Sequence, residues 1–112
     1  MMSGFQRAAT LMTFTCVGAI ADGVFMNVAR AQAGAGDSVW GVTQTSGEDE
    51  PVSVAVAGEV ECLAGGAFSE GDQIEVGADG KAVVLNGGKA VARAMEEGVA
   101  GRRARLFVYQ TK

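Results

Sequence analysis

Histidine is absent from the 112 residues, and several chemistries go with it. Ser-His-Asp and Cys-His hydrolysis lose their usual general base, and a zinc site loses its usual non-thiolate ligand. There are only two cysteines, Cys16 and Cys62. They form no Cys-x-x-Cys motif and no disulfide framework, so each reads as a small buried apolar residue. One proline, one tryptophan and one tyrosine complete the list of rare residues. No run of about 20 apolar residues exists to span a membrane as a helix. A net charge of −4 argues against nucleic acid as a partner.

Glycine, valine and alanine dominate what remains, with 17 glycines and a hydrophobic share of 48%. That vocabulary suits short strands and tight turns. Period-2 alternation runs through "PVSVAVAGEVEC", which predicts a strand opened by Pro51 and interrupted at Gly58. Val52, Val54, Val56, Val60 and Cys62 are expected on one face, with Ser53, Ala55, Ala57, Glu59 and Glu61 on the other. In "RRARLFVYQ", Ala104, Leu106 and Val108 should face inward, opposite Arg103, Arg105, Phe107 and Tyr109. Further strands are expected at 10–17, 23–29, 39–45, 72–76, 81–85 and 90–95. Asp-Gly and Asn-Gly pairs supply the turns. The only helical turn expected is in "AMEEG", residues 94–98.

The chain repeats itself. "GAIADGVFMNV" at 18–28 returns as "GAFSEGDQIEV" at 66–76, and Ile20 aligns with Phe68, 48 positions later. "SVWGV" and "KAVARA" follow, then an acidic or Gly-rich loop, "TSGEDE" or "EEGVAG", then a final strand. One such half would leave sheet edges open, so two halves closing together form the natural unit. The fold class is all-β: a small β-barrel or sandwich of two pseudo-repeated halves of hairpins. Residues 10–112 form the domain and 1–9 an N-terminal arm. Trp40 shares a face with Val42 by alternation and is expected in the core.

Reactive constellations are missing. The acidic "EDE" and "EE" lie in polar loops, where no cleft brings two acids together. "GGKA" at 87–90 lacks the other elements of a phosphate loop, and "DGK" at 79–81 lacks the alternating acids of an EF-hand. No cofactor, metal or catalytic residue is expected, and the chain reads as non-enzymatic. Two alternatives stand beside this. "LMTFTCVGAIA" followed by Ala31-Gln32-Ala33 imitates a secretory signal, which would make the chain a secreted β binding module without residues 1–33. However, Asp22 and Arg30 separate the apolar run from that cleavage site. "GEVECLAGGAFSEGDQIEVGADGKAV" also echoes the biotinyl/lipoyl carrier module, with Lys81 beside its Asp-Gly turn.

The order of motifs resembles the small phage capsid cement (head decoration) proteins of the DUF2190 type. It is carried by "GAIADGVFMNV", "AGAGDSVWGVTQ", "AGEVECLAGGAFSEGDQIEVGADGKAV", "AVARAMEEG" and "RARLFV", which span nearly the whole chain. The resemblance implies a structural virion protein on the exterior of a phage head. It would be made in the host cytoplasm, bind the major capsid protein and stabilise the expanded head. It also implies a homotrimer, with no membrane or nucleic-acid partner. Capsid-contact candidates are Phe5, Gln6 and Arg7 in the arm, and Arg102, Arg103 and Arg105, the one basic cluster. A bland role for the arginines is cross-strand pairing with Glu59 and Glu61.

Overall fold

The computed structural model describes residues 9–109. Among the described residues there are ten strands: β1 (Ala9–Thr15), β2 (Ala19–Ile20), β3 (Phe25–Asn27), β4 (Val39–Thr43), β5 (Gly47–Glu48), β6 (Pro51–Leu63), β7 (Gln73–Val76), β8 (Ala82–Val84), β9 (Ala92–Ala94) and β10 (Arg103–Val108). The main sheet runs β3-β4-β6-β10-β9-β7-β8, with β1 also paired to β6, and it is nearly closed into a barrel. The paired strands are antiparallel throughout.

The repeat is present in three dimensions. Cys16 N–H donates to the Glu50 carbonyl at 2.9 Å, and at the matching place Ala64 N–H donates to Arg102 at 2.8 Å. Gly23 N–H to Thr43, 2.9 Å, matches Gly71 N–H to Ala94, 2.8 Å. Ala33 N–H to Phe25, 3.0 Å, matches Leu85 N–H to Gln73, 2.8 Å. The β1–β6 pair of the first half, with Phe14 opposite Val52, becomes the β6–β10 pair of the second, with Cys62 opposite Ala104. Strand β6 is therefore the last strand of one half and the first of the other. That double duty accounts for its length of 13 residues.

Each half keeps its own core. Phe14, Cys16, Ile20, Met26, Val52 and Val54 pack together in the first half. Their counterparts Cys62, Ala64, Phe68, Ile74, Ala104 and Leu106 pack together in the second. The second core also takes in Phe25, Ala33, Val42 and Ala55 from the reverse face of the first half's sheet. Burying a side chain of the size of Phe25 or Val42 contributes about 1.5–3 kcal/mol.

Several expectations change here. Val56 is an extra residue opposite the Thr10–Leu11 step, where the register slips from Ala57 to Ala55. Val52 and Val54 serve the first core, with Val56 packed against it, and Ala55 on the opposite face serves the second. Val60 and Cys62 also join the second core, so the alternation shifts between Val56 and Val60, where the expected interruption at Gly58 takes a φ of +102°. Trp40 is displaced by a bulge in β4. Met26 pairs with Gly41 and Asn27 with Val39, which leaves Trp40 as the bulged residue between them. It is 37% exposed, whereas Val42 is fully buried. The helical turn expected at 94–98 is absent; that segment holds an isolated bridge between Phe68 and Gly98. The 3-10 turn lies instead at Ala78–Gly80. The short pair β2–β5 is an addition to the expected strands: Gly47–Glu48 falls in an expected loop, and Ala19–Ile20 lies between an expected strand and turn. Along β10 the alternation is as expected, with Ala104, Leu106 and Val108 buried.

Candidate interaction surface

Of the sequence candidates, Phe5, Gln6 and Arg7 lie outside the described residues. The three arginines do not form an open basic cluster. Arg103 Nη2 pairs with Asp22 Oδ1 at 3.1 Å, tying the turn before β3 to the start of β10. Arg105 Nη1 reaches diagonally to Glu59 Oε2 at 3.1 Å, and its Nε lies 3.5 Å from Glu96 Oε1. The hydrogen bond it donates to Glu59, followed by the Glu96 charge, raises the Arg105 pKa above its ordinary value. Arg102 is exposed and pairs with no described carboxylate. Two of the three positive charges are therefore balanced within the chain.

A different surface stands out. Leu11, Met12, Val17, Val28 and Trp40 are all exposed on the first half, between 37% and 59%. Val17, Val28 and Trp40 are tied to one another's neighbourhood by contacts through Phe14 and Arg30. The Trp40 ring stacks on Phe14 with centroids 5.1 Å apart and planes 26° from parallel. Trp40 Nε1 donates to the Val28 carbonyl at 3.2 Å, and Val17 N–H donates to the Arg30 carbonyl at 2.8 Å. The Arg30 guanidinium carbon sits 5.6 Å from the Phe14 centroid, within cation–π range. The bulge in β4 aims Trp40 at Phe14, so the indole closes the outer side of the first core. Exposed apolar groups held together around Trp40 and Phe14 make a candidate interaction surface. Composition hinted at it: no charged residue stands between Arg7 and Asp22. Alternation could not reveal it, because the bulge breaks the alternation.

The fold is similar to that of a phage head-fibre base. The chain superposes on the crystal structure of the N base of head fiber gp8.5 in bacteriophage phi29 with a TM-score of 0.74. The match covers 92% of this chain and 98% of that one, at 17% sequence identity, so the likeness is one of fold. No protein-family model and no curated protein sequence matches the chain.

The remaining chemistry is quiet. Among the described residues, no three His, Cys, Asp or Glu side chains gather as metal ligands. Both cysteines are free and buried. Burial pushes the Cys62 thiol up to about 12, so it stays protonated at neutral pH. Lys81 is half-buried where the chain leaves the 3-10 turn, unlike the exposed tip lysine of a carrier module. The segment a signal peptidase would remove contributes β1, β2 and β3, with Val24, Phe25, Met26 and Ala33 all buried. A chain beginning after Ala33 would lack most of the first core.

Proposed function

We propose that the protein is a non-enzymatic structural component of a phage virion, attached to the outside of the head, where it fastens major capsid subunits after expansion. The observation that carries this reading is the fold likeness to the phi29 head-fiber base over nearly the full length of both chains. The order of sequence motifs, read independently, supports the same class. A cement function needs a rigid body and an adhesive surface rather than a reactive centre. The body is the double-cored barrel. The adhesive surface is the apolar region around Met12, Val28 and Trp40, supplemented by Arg102. A homotrimer would multiply the contacts each attachment makes, and weak contacts then add through effective concentration.

Co-sedimentation with purified heads of the cognate phage tests the reading. Binding to expanded heads, together with DNA retention at temperatures where bare heads leak, is the expected result. A protein that stays in the supernatant at every concentration would remove it. Because Arg103 and Arg105 are already paired, attachment is expected to weaken little as salt rises tenfold, in contrast to a dock made of open charges.

A further inference from the structure

The chain has three sequences in which Asp or Asn precedes glycine: Asp22-Gly23, Asp79-Gly80 and Asn86-Gly87. In two of them the glycine amide is engaged. Gly23 N–H donates to Thr43 at 2.9 Å, and Gly80 N–H donates to Gly77 at 3.3 Å. No described group accepts the Gly87 N–H. Gly87 holds a φ of +87°, and a Cβ added there would meet nothing within 4 Å, so the space beside it is open. Asn86 itself is exposed, at the tip of the connection between β8 and β9.

The chain's other asparagine provides a contrast. The Asn27 Oδ1 accepts N–H bonds from Ala29 and Ala31, both at 3.0 Å, and its Nδ2 donates to Asp37 at 3.3 Å. The residue after it is the β-branched Val28, which crowds the backbone nitrogen. The Asn86 side chain makes no hydrogen bond to any described residue.

We propose that Asn86 is a site of spontaneous covalent modification, converting to aspartate and isoaspartate as the protein ages. The Gly87 backbone nitrogen attacks Asn86 Cγ. A C–N bond closes a five-membered imide, the side-chain amide C–N bond breaks, and ammonia leaves with the proton given up by Gly87. Water then adds at either imide carbonyl. One opening gives aspartate; the other routes the main chain through the former side chain. Oxidation states do not change, and water is the only co-reactant.

The product alters a specific contact. Glu75 Oε1 accepts N–H bonds from both Asn86, 3.0 Å, and Gly88, 2.9 Å, which clamps this connection to β7. A new carboxylate beside Glu75 repels it, and the isoaspartate form lengthens the backbone inside the clamp. The connection loosens locally while the barrel stays intact. This inference stands independently of the head-attachment reading.

The test uses the purified full chain, kept warm at mildly alkaline pH, alongside a sample in denaturant. Peptides covering Asn27 and Asn86 are weighed and separated over time. In the folded protein, the Asn86 peptide is expected to gain the mass of an acid at least about tenfold faster than the Asn27 peptide. A barrier difference of about 1.4 kcal/mol suffices for that. Two products of equal mass should separate, and aged protein should exchange the Gly88 amide faster. Asn86→Gln should remove both effects without unfolding the chain. Persistence of the Asn86 amide in the folded protein for as long as that of Asn27 overturns the proposal, whether or not the denatured chain loses it.

Discussion

The two halves share a plan and differ in how their cores are closed. The second half's core is covered by the back of the first: Phe25, Val42 and Ala55, all fully buried. The residues at the matching positions on the back of the second half are Gln73, Arg93 and Phe107, which are exposed. They cover no core among the described residues. The first half's core is closed instead by Trp40, a bulged residue with no counterpart in the second half, laid over Phe14. A repeated unit thus acquires two roles. The first copy has its back buried against the second core and its own core closed by a partly exposed aromatic lid, with apolar neighbours available for a partner. The second copy buries only its core face and leaves its back to solvent.

The largest effect expected from disturbing this comparison is at Gly41. Its counterpart in the second half is Ala92, yet a Cβ at position 41 would collide with the Ala55 carbonyl oxygen and lie 2.9 Å from Val56 Cα. Main chain cannot give way as a side-chain tip can. Gly41→Ala is therefore expected to cost about 3 kcal/mol or more in urea unfolding, while Ala92→Gly costs only about 1 kcal/mol. Equal losses would mean that the halves are not built differently there.

Alkaline pH should come next. The Cys62 pKa is raised to about 12 in the fold, from an ordinary 9.0. Its contribution is fully present below pH 9, where both states hold the proton. Above pH 9 the unfolded chain releases the proton more readily, so stability falls by up to about 1.4 kcal/mol per pH unit until pH approaches 12. Thermal unfolding across that window should show the decline, and Cys62→Ala should flatten it from a lower starting stability.

Trp40→Ala tests the lid. Loss of the stack on Phe14 and of the bond to Val28 should lower stability by about 1–2 kcal/mol, less than for a buried aromatic because the indole is already partly in water. Head attachment should fall at the same time. The same substitution leaving both stability and attachment untouched would deny the lid either role. Arg103→Ala is expected to have the smallest effect, well under 1 kcal/mol, because its pair with Asp22 is solvent-exposed and screened. Urea midpoints with and without added salt provide the measurement.

Much of this plan could be read from the sequence. Alternation placed β6 and β10, Asp-Gly and Asn-Gly turns divided the strands, and the doubled phrase announced the two halves. Gly58 marked the break in β6, but not that Val60 and Cys62 beyond it would join a different core from Val52 and Val54. The bulge in β4 has no residue-type signature of its own, so Trp40 moved to an unexpected face. The two-residue strands β2 and β5 also escaped, since neither is long enough to show a period. For the candidate surface, the arginines drew attention by their charge, and only the fold showed Asp22, Glu59 and Glu96 arriving to neutralise two of them. The apolar region was legible only as a missing charge between Arg7 and Asp22.

Imaging of heads mixed with the purified protein tests the central claim most directly. Expanded heads should carry added density of this barrel's size at symmetry-related positions on their outer surface, and unexpanded heads should lack it. Expanded heads that remain bare when the protein is in large excess would contradict the account.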